Sequence, residues 1–507
     1  MTPTHPVART PTSEQDLRLR LLNTLLTTPH RDLGSTYQVH QEIITQDPRF
    51  YVQLAAWYAK EGEVRDHKEM FVVNLALSDF PGHRDVGLAL LRQLPPYEVG
   101  RVFDFVKGTE LRRRVKRGDV VEVVAEKRGL FRNVPRSLKT EITRYLRERE
   151  ADPDWFDSTV LQARHDLKRL YTSLHIHPAA RAQAILFDDK PPADSRLYAL
   201  KLIAQAQTPA EQARAIVENK IPYRVAVSVI KHMTPTVLVA LIERMSPQEL
   251  INNLGSLRQH GAFDNPDVKA LIENKLEQAK TDERVSAYKA KQAIAAAGVS
   301  ADVAEKLDAV TEAQVKAKGT IVRSTALLLD KSGSMTEAIE IGKRLGSLIA
   351  GICQAELYAY AFDTIPYPIE TTSPALADWE RALQGIQAGG NTSCGVAVEF
   401  MRRKRQVVEQ IVIVTDEEEN TSPLFVEALQ QYREELKADP HVVFVKVRGA
   451  RDQLEQECQR ARIACDAYQF TGDYYALPNL VSLLTRPTRL DLLLEIMAYP
   501  LPQRRPA

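Results

Sequence analysis

Three oxygen-bearing side chains, Asp330, Ser332 and Ser334, follow directly on the apolar run Ser324–Leu329. Asp and Ser ahead of a helix usually cap it, so a lone D-x-S-x-S reads first as a helix start. Two further segments shift that balance. Gly389-Gly390-Asn391-Thr392 forms a loop before a predicted helix and offers a hydroxyl. Asp416 ends the run Gln410–Asp416 (QIVIVTD) in the same way that Asp330 ends the first. Two carboxylates and three hydroxyls are hard donors that suit Mg²⁺, with a coordination position left for water or a partner's carboxylate. Glu417, Glu418 and Glu419 come next and read as a solvated acidic loop rather than as further ligands. Asp330 and Asp416 could also be the carboxylate pair of a Mg²⁺-dependent phosphodiesterase. That reading ranks last, because no general base stands beside them and the sequence has neither a GxxxxGK[ST] loop nor a G-x-S-x-G elbow. No catalytic residue is expected.

These oxygens can meet only if their strands end at one sheet edge. After Gly319, strand and helix alternate. Strands are predicted at Ser324–Asp330, Ala355–Phe362, Gln410–Asp416, Val442–Val447 and near Tyr468–Phe470. Helices are predicted at Met335–Cys353, Trp379–Gln387, Val396–Lys404, Leu424–Lys437 and from Leu477. This is the signature of a doubly wound, Rossmann-like parallel sheet, which places ligands at the carboxyl ends of its strands.

The chain before Gly319 has another character. No glycine lies between Leu130 and Leu254, whereas residues 321–507 hold ten of the 22. Glycine weakens a helix interior by about 1 kcal/mol, so the glycine-free stretch suits helices. Thr208-Pro209-Ala210-Glu211 and Ser246-Pro247-Gln248-Glu249 are capping boxes with proline at the first helical position, and Thr234-Pro235 is a third start. Leu238, Leu241, Ile242, Leu250, Ile251, Leu254 and Leu257 then recur at helical spacing. Strand-like stretches are few. Short helices joined by Pro-rich turns point to an all-α helical-repeat array, although no strict period is found. Residues 275–320, rich in alanine and charge, read as helices linking two domains. The expected division is a mobile tail over 1–13, a helical-repeat domain with its linking helices over 14–320, and an α/β domain over 321–507.

Basic residues concentrate in the first domain. Residues 101–149 carry 15 Lys and Arg against seven Asp and Glu, a local charge of +8 in a chain whose total is +1. Arg132, Arg136, Lys139 and Arg147 fall near helical spacing, and Arg164, His165, Lys168 and Arg169 form a second group. Such a face attracts phosphate with strong salt dependence. A solvated helix face laced with i,i+4 ion pairs fits the composition about as well.

A length of 507 residues suggests roughly two to four domains. With 44% apolar and 26% charged residues the composition is that of folded protein. Cys353, Cys394, Cys458 and Cys465 are too sparse for a disulfide scaffold and suggest a reducing compartment. No apolar run approaches the roughly 20 residues of a membrane span, and the first residues have no apolar core for a secretory signal. A cytoplasmic multidomain protein is the expectation.

The five oxygen donors, in order and spacing, resemble the metal-ion-dependent adhesion site of the von Willebrand factor A domain. That resemblance implies a metal that bridges to an acidic residue of a partner and catalyses nothing. The helical part resembles a TROVE module. Met245-Ser246-Pro247-Gln248-Glu249-Leu250-Ile251-Asn252-Asn253-Leu254-Gly255 is similar to the family's M-P-x-x-x-L-x-x-N-L-G segment. Pro222-Tyr223-Arg224 and Lys231-His232-Met233 fit the helix before it, and Arg136-Ser137-Leu138-Lys139 resembles R-x-L-[RK]. His165-Asp166-Leu167-Lys168-Arg169-Leu170 resembles H-x-D-L-x-R-L with one residue fewer between His and Asp. TROVE followed by von Willebrand A is the order of the Ro ribonucleoprotein family and its bacterial members. The resemblance implies a HEAT-like helical ring closed by the A domain and a monomer. It also implies an outer basic surface for Y-like small noncoding RNA, and a hole that takes single-stranded ends of misfolded RNA. RNA quality control, with tethering to a 3′ exoribonuclease, would follow. The rival expectation is an A-domain interaction module on a helical scaffold, working with an ATPase.

Overall fold

The computed structural model describes residues 18, 21, 33–62, 64–117, 120–447, 450–463, 465–470, 481, 484–485 and 489–504. The tail expected over 1–13, and the start of the helix expected from Leu477, lie outside them. The described chain forms two compact units, one from residues 33–310 with 499–504, the other from 311–498 with residues 18 and 21. The division falls at Val310, inside the helix Ala301–Ala317 and ahead of the expected boundary at 320.

The first unit is helical from Leu33–Gln46 to Ala287–Ala297 apart from one hairpin. Its helix starts follow the caps in the sequence. Thr208 and Glu211 make a reciprocal capping box, and Ser246 and Thr234 accept from Glu249 N and Val237 N. Pro209–Glu218 packs on Pro235–Arg244, which packs on Pro266–Ala279, while Pro247–Gln259 packs on Ala287–Ala297. Each helix thus meets the one two places further on, giving two layers. The predicted stripe fills the space between them: Leu238, Leu241, Ile242, Leu250, Ile251, Leu254 and Leu257 are all buried. Each contributes about 1.5–3 kcal/mol of transfer free energy.

The hairpin was not foreseen. Strand β1 (Thr109–Arg117) pairs antiparallel with β2 (Val120–Arg128), from Thr109 opposite Arg128 to Arg117 opposite Val120. Its sequence signals are Gly118-Asp119 between the strands and the β-branched run Val120-Val121-Glu122-Val123-Val124. The cations that surround them also fit helical spacing, which conceals the strand period.

The second unit holds a six-stranded sheet in the order β5-β4-β3-β6-β7-β8. Its strands are β3 (Thr325–Asp330), β4 (Leu357–Phe362), β5 (Pro366–Ile369), β6 (Gln410–Thr415), β7 (His441–Lys446) and β8 (Cys465–Gln469). All pair in parallel except β5, an antiparallel edge strand. The expected purely parallel sheet is therefore mixed. Two prolines in four residues hid β5, and an edge is where proline is tolerated because no ladder donor is lost.

Both faces are covered. Ala326 and Leu328 face the helices Val396–Lys404 and Phe425–Leu436. On the other face Gly342, in the helix Ile339–Gly351, lies against Leu329. A Cβ added at Gly342 would meet Leu329 Cδ1 at 3.0 Å, so that helix rides close to the sheet. The predicted single helix Met335–Cys353 is a 3₁₀ turn, Gly333–Glu337, followed by Ile339–Gly351.

Candidate functional site

Strands β3 and β6 are neighbours in the sheet, with Leu329 opposite Val414, so Asp330 and Asp416 leave the sheet side by side. Backbone hydrogen bonds draw the three loops together. Gly333 N donates to Gly390 O at 2.9 Å and Gly389 N to Lys331 O at 2.7 Å. Thr392 N donates to Asn420 Oδ1 at 3.0 Å, while Asn420 N and Thr421 N donate back to Thr392 O. Ser332, Ser334, Thr392 and both aspartates thus come from loops clasped at one strand-end edge.

The two oxygens of Asp330 are already committed. Oδ1 accepts from Ser332 N at 2.8 Å and Oδ2 from Thr415 Oγ1 at 2.7 Å. The Ser332 and Ser334 hydroxyls are 3.1 Å apart. Asp330, Ser332, Thr392 and Asp416 are buried, and Ser334 is exposed, so the site opens at Ser334. Burial pushes the Asp330 carboxyl up to about 6; hydrogen bonds from Ser332 and Thr415 pull it down, and the Asp416 charge adds to the rise. A cation would relieve the repulsion between these carboxylates, and the all-oxygen donor set fits a hard divalent ion.

The structure adds supports that the sequence reading missed. Lys331 pairs with Asp363, at the end of β4, and Ser393 N donates to Asp363 O at 2.9 Å. A third strand-terminal aspartate was the available signal. Gly390 has φ +89°, and a Cβ there would meet Asp363 at 3.2 Å, so this turn of the Thr392 loop needs glycine.

The acidic loop is not the solvated segment expected. Glu417 is 0% exposed and Glu419 7%. Glu419 Oε1 accepts from Cys394 N at 2.8 Å and Phe425 N at 2.9 Å, tying the Thr392 loop to the next helix. Burial pushes the carboxyl of Glu417 up to about 8 and that of Glu419 up to about 7. Charge alone suggested solvent. What turns Glu417 inward is a left-handed backbone, φ 62°, which nothing in its residue type announces.

In the helical unit, the helix Arg136–Ala151 buries Leu138, Glu141, Ile142, Tyr145, Leu146 and Arg149. At about 100° per residue, Arg136 and Arg147 fall on the opposite face and Lys139 on its flank. Arg136 and Lys139 are exposed and have no ion pair among the described residues. Arg132, also exposed, lies just before them in the region of Tyr37. Arg147 is exposed, but it pairs with Glu150 and donates to His177 O at 2.7 Å.

The second group sits on Pro153–Ser173, just past a kink at Ala163 (φ −139°, ψ 37°). His165 is exposed. Lys168 lies 5.6 Å from the Phe187 ring centroid. Arg164 pairs with Asp189 and donates to Ile185 O at 3.1 Å, and Arg169 pairs with Asp104 and Asp166. Further cations of the +8 stretch are also structural. Arg101 pairs with Asp66 at 2.9 Å and Glu69 at 3.1 Å, and Arg149 lies 3.7 Å from the Trp155 ring centroid. The cations open to a ligand are thus fewer than composition suggested.

No protein-family model matches the sequence, and no curated protein sequence matches it. Solved structures do. The crystal structure of the Ro (RSR) protein of Deinococcus radiodurans aligns over 96% of this chain and 96% of that chain, with a TM-score of 0.53 and 15% identity. Proximal thread matrix protein 1 from the mussel byssus aligns over 33% of this chain and 48% of its own, with a TM-score of 0.26 and 14% identity. The conserved hypothetical protein BatB from Bacteroides thetaiotaomicron aligns over 32% of this chain and 98% of its own, with a TM-score of 0.24 and 18% identity. No helix among the described residues is long and apolar enough to cross a membrane. The resemblance carried by the sequence motifs holds at the level of fold: over nearly its whole length this chain has the fold of a bacterial Ro protein.

Proposed function

We propose that this chain is a non-catalytic RNA-binding protein of the cytoplasm that holds a small noncoding, Y-like RNA. On the same reading it takes single-stranded ends of misfolded RNA, in RNA quality control, as a monomer. The observation that carries this reading is the exposed cationic face of Arg136–Ala151. Arg136 on the outer face and Lys139 on its flank, preceded by Arg132, are exposed and unmatched by carboxylates among the described residues. Unpaired cations on a rigid helix suit phosphate contacts, which position a nucleic acid without reading its sequence. The two-way alignment with a Ro protein supports the same choice.

Arg147, Arg164, His165, Lys168 and Arg169 extend the surface in this reading. Those already paired within the protein serve as its frame. Asp330, Ser332, Ser334, Thr392 and Asp416 would hold Mg²⁺, which when bound supplies an open position for an acidic group of a partner, such as a 3′ exoribonuclease. The chain's own part is to hold those oxygens ready: Thr415 and Ser332 N fix Asp330, and Asn420 fixes Thr392.

The test is a gel shift of a small structured RNA bearing a single-stranded 3′ tail, across a salt series. Tail-dependent, salt-sensitive, sub-micromolar binding is expected. No binding at low salt would overturn the reading and turn attention to the metal site as a protein-interaction module.

A further inference from the structure

A second group of acids begins at Glu417, the residue after Asp416. Glu417 is fully buried, and neither of its carboxylate oxygens has a hydrogen-bond partner. Asp452 and Glu455 come from the start of the helix Gln453–Arg460. One carboxylate oxygen from each of the three residues lies within 4.8 Å of the others.

Lys446, at the end of β7, reaches into this group. Its ammonium is 2.8 Å from Asp452 Oδ1 and 3.2 Å from Glu455 Oε2. The helix start accounts for Asp452 and Glu455, since acids are favoured in a first turn. It does not account for Glu417, which faces the group with no donor of its own. A buried carboxyl group is costly unless it is paired and hydrogen-bonded, and the one ammonium is already engaged by Asp452 and Glu455.

We propose that Glu417, Asp452 and Glu455 form a calcium site, separate from the Asp330 set, in which the Lys446 ammonium takes the place of the ion when none is bound. All donors are oxygen, so the ligand is a hard cation. Ca²⁺–oxygen distances of about 2.3–2.6 Å allow ligand oxygens on opposite sides of the ion to stand about 4.6–5.2 Å apart; the Mg²⁺ shell, about 4.0–4.2 Å across, is tighter. Oxygens within 4.8 Å of one another fit either shell; three protein carboxylates suit Ca²⁺, because Mg²⁺ keeps several waters and takes one or two. The way in is over Asp452, whose side chain is 64% exposed.

The test is calorimetric titration of Ca²⁺ into the full chain carrying Asp330→Ala, which removes the first site. One Ca²⁺ per chain is expected. The double variant Asp452→Asn/Glu455→Gln, made in the same background and in the wild type, should lower that affinity at least about tenfold. It leaves Asp416 and its neighbours untouched, and both residues retain solvent contact, so its fold can be checked by circular dichroism. Lys446→Met should raise the affinity by removing the competing ammonium. Absence of Ca²⁺ binding in folded Asp330→Ala protein, or binding unchanged by the double variant, would overturn the proposal.

Discussion

The hydroxyl of Thr415 donates to Oδ2 of Asp330 across the β3–β6 pair, at 2.7 Å. It therefore sets the direction of the most buried carboxylate of the metal candidate, from the residue just before the second carboxylate. Thr415→Val keeps shape and β-propensity and removes that donor, together with the acceptor that the hydroxyl offers Glu417 N at 2.9 Å. Mg²⁺ affinity, measured by calorimetry, should fall about tenfold with the fold intact, as for other groups that orient a ligand. Unchanged affinity would mean that Asp330 is held by Ser332 N alone.

Arg136→Ala with Lys139→Ala should weaken RNA binding. It should also lower the slope of log K against log salt by about 1.4–1.8, for two lost phosphate contacts. Arg169→Ala is the contrast. Its guanidinium pairs with Asp104 and Asp166, so the expected loss is in the melting temperature rather than in the salt slope. Gel shifts over a salt series and a thermal melt of each variant separate the two.

Glu69 gives stability a pH dependence. Its side chain is 0% exposed, and burial pushes its carboxyl from 4.5 up to about 8 despite Arg101 at 3.1 Å. The folded state keeps a proton that the unfolded chain has already lost between those values. Stability should therefore fall as pH rises from about 4.5 to about 8. Glu69→Gln should flatten that slope, read as urea midpoints between pH 5 and 9. Glu417 and Glu419, raised by burial in the same way, keep their own share, so a slope undiminished in the variant is the result that would exclude Glu69.

Residues 499–504 return to the helical unit, where Arg504 reaches Glu141 at 2.7 Å and Asp85 at 3.4 Å. Glu141 is fully buried and is also approached by Arg92 and Arg144. Arg504→Ala leaves two of its three cations, so destabilisation of about 1.5 kcal/mol is expected by chemical denaturation, the scale of one charged hydrogen bond. No change would mean that Arg92 and Arg144 satisfy Glu141 between them.

Periodicity and caps were the legible part of the fold. Thr208, Thr234 and Ser246 start helices in the structure as their sequence context says, and the Leu238–Leu257 stripe is core. Strands that are buried on both faces, such as Leu327–Leu329 and Ile411–Val414, announce themselves as apolar runs. The strand-end aspartates could be read for the same reason. Strand β5 was hidden by its prolines, and β1 by its charge. The inward turn of Glu417 depends on one backbone angle, and the capture of Arg164 and Arg169 depends on Asp189 and Asp104, distant in sequence. Spacing encodes none of these, because each is decided by tertiary contact.

Strands β1 and β2 pair only with each other among the described residues, so each keeps one edge with unpaired backbone groups. Such edges invite strand-to-strand aggregation unless like charges keep copies apart. Five of the nine residues of β1, Arg112, Arg113, Arg114, Lys116 and Arg117, are cationic. At low salt this repulsion should hold the protein dispersed in concentrated solution. Screening shortens its reach to about 3 Å at 1 M salt. Solubility limited at high ionic strength, and recovered on dilution into low salt, is the behaviour that this hairpin builds into the chain.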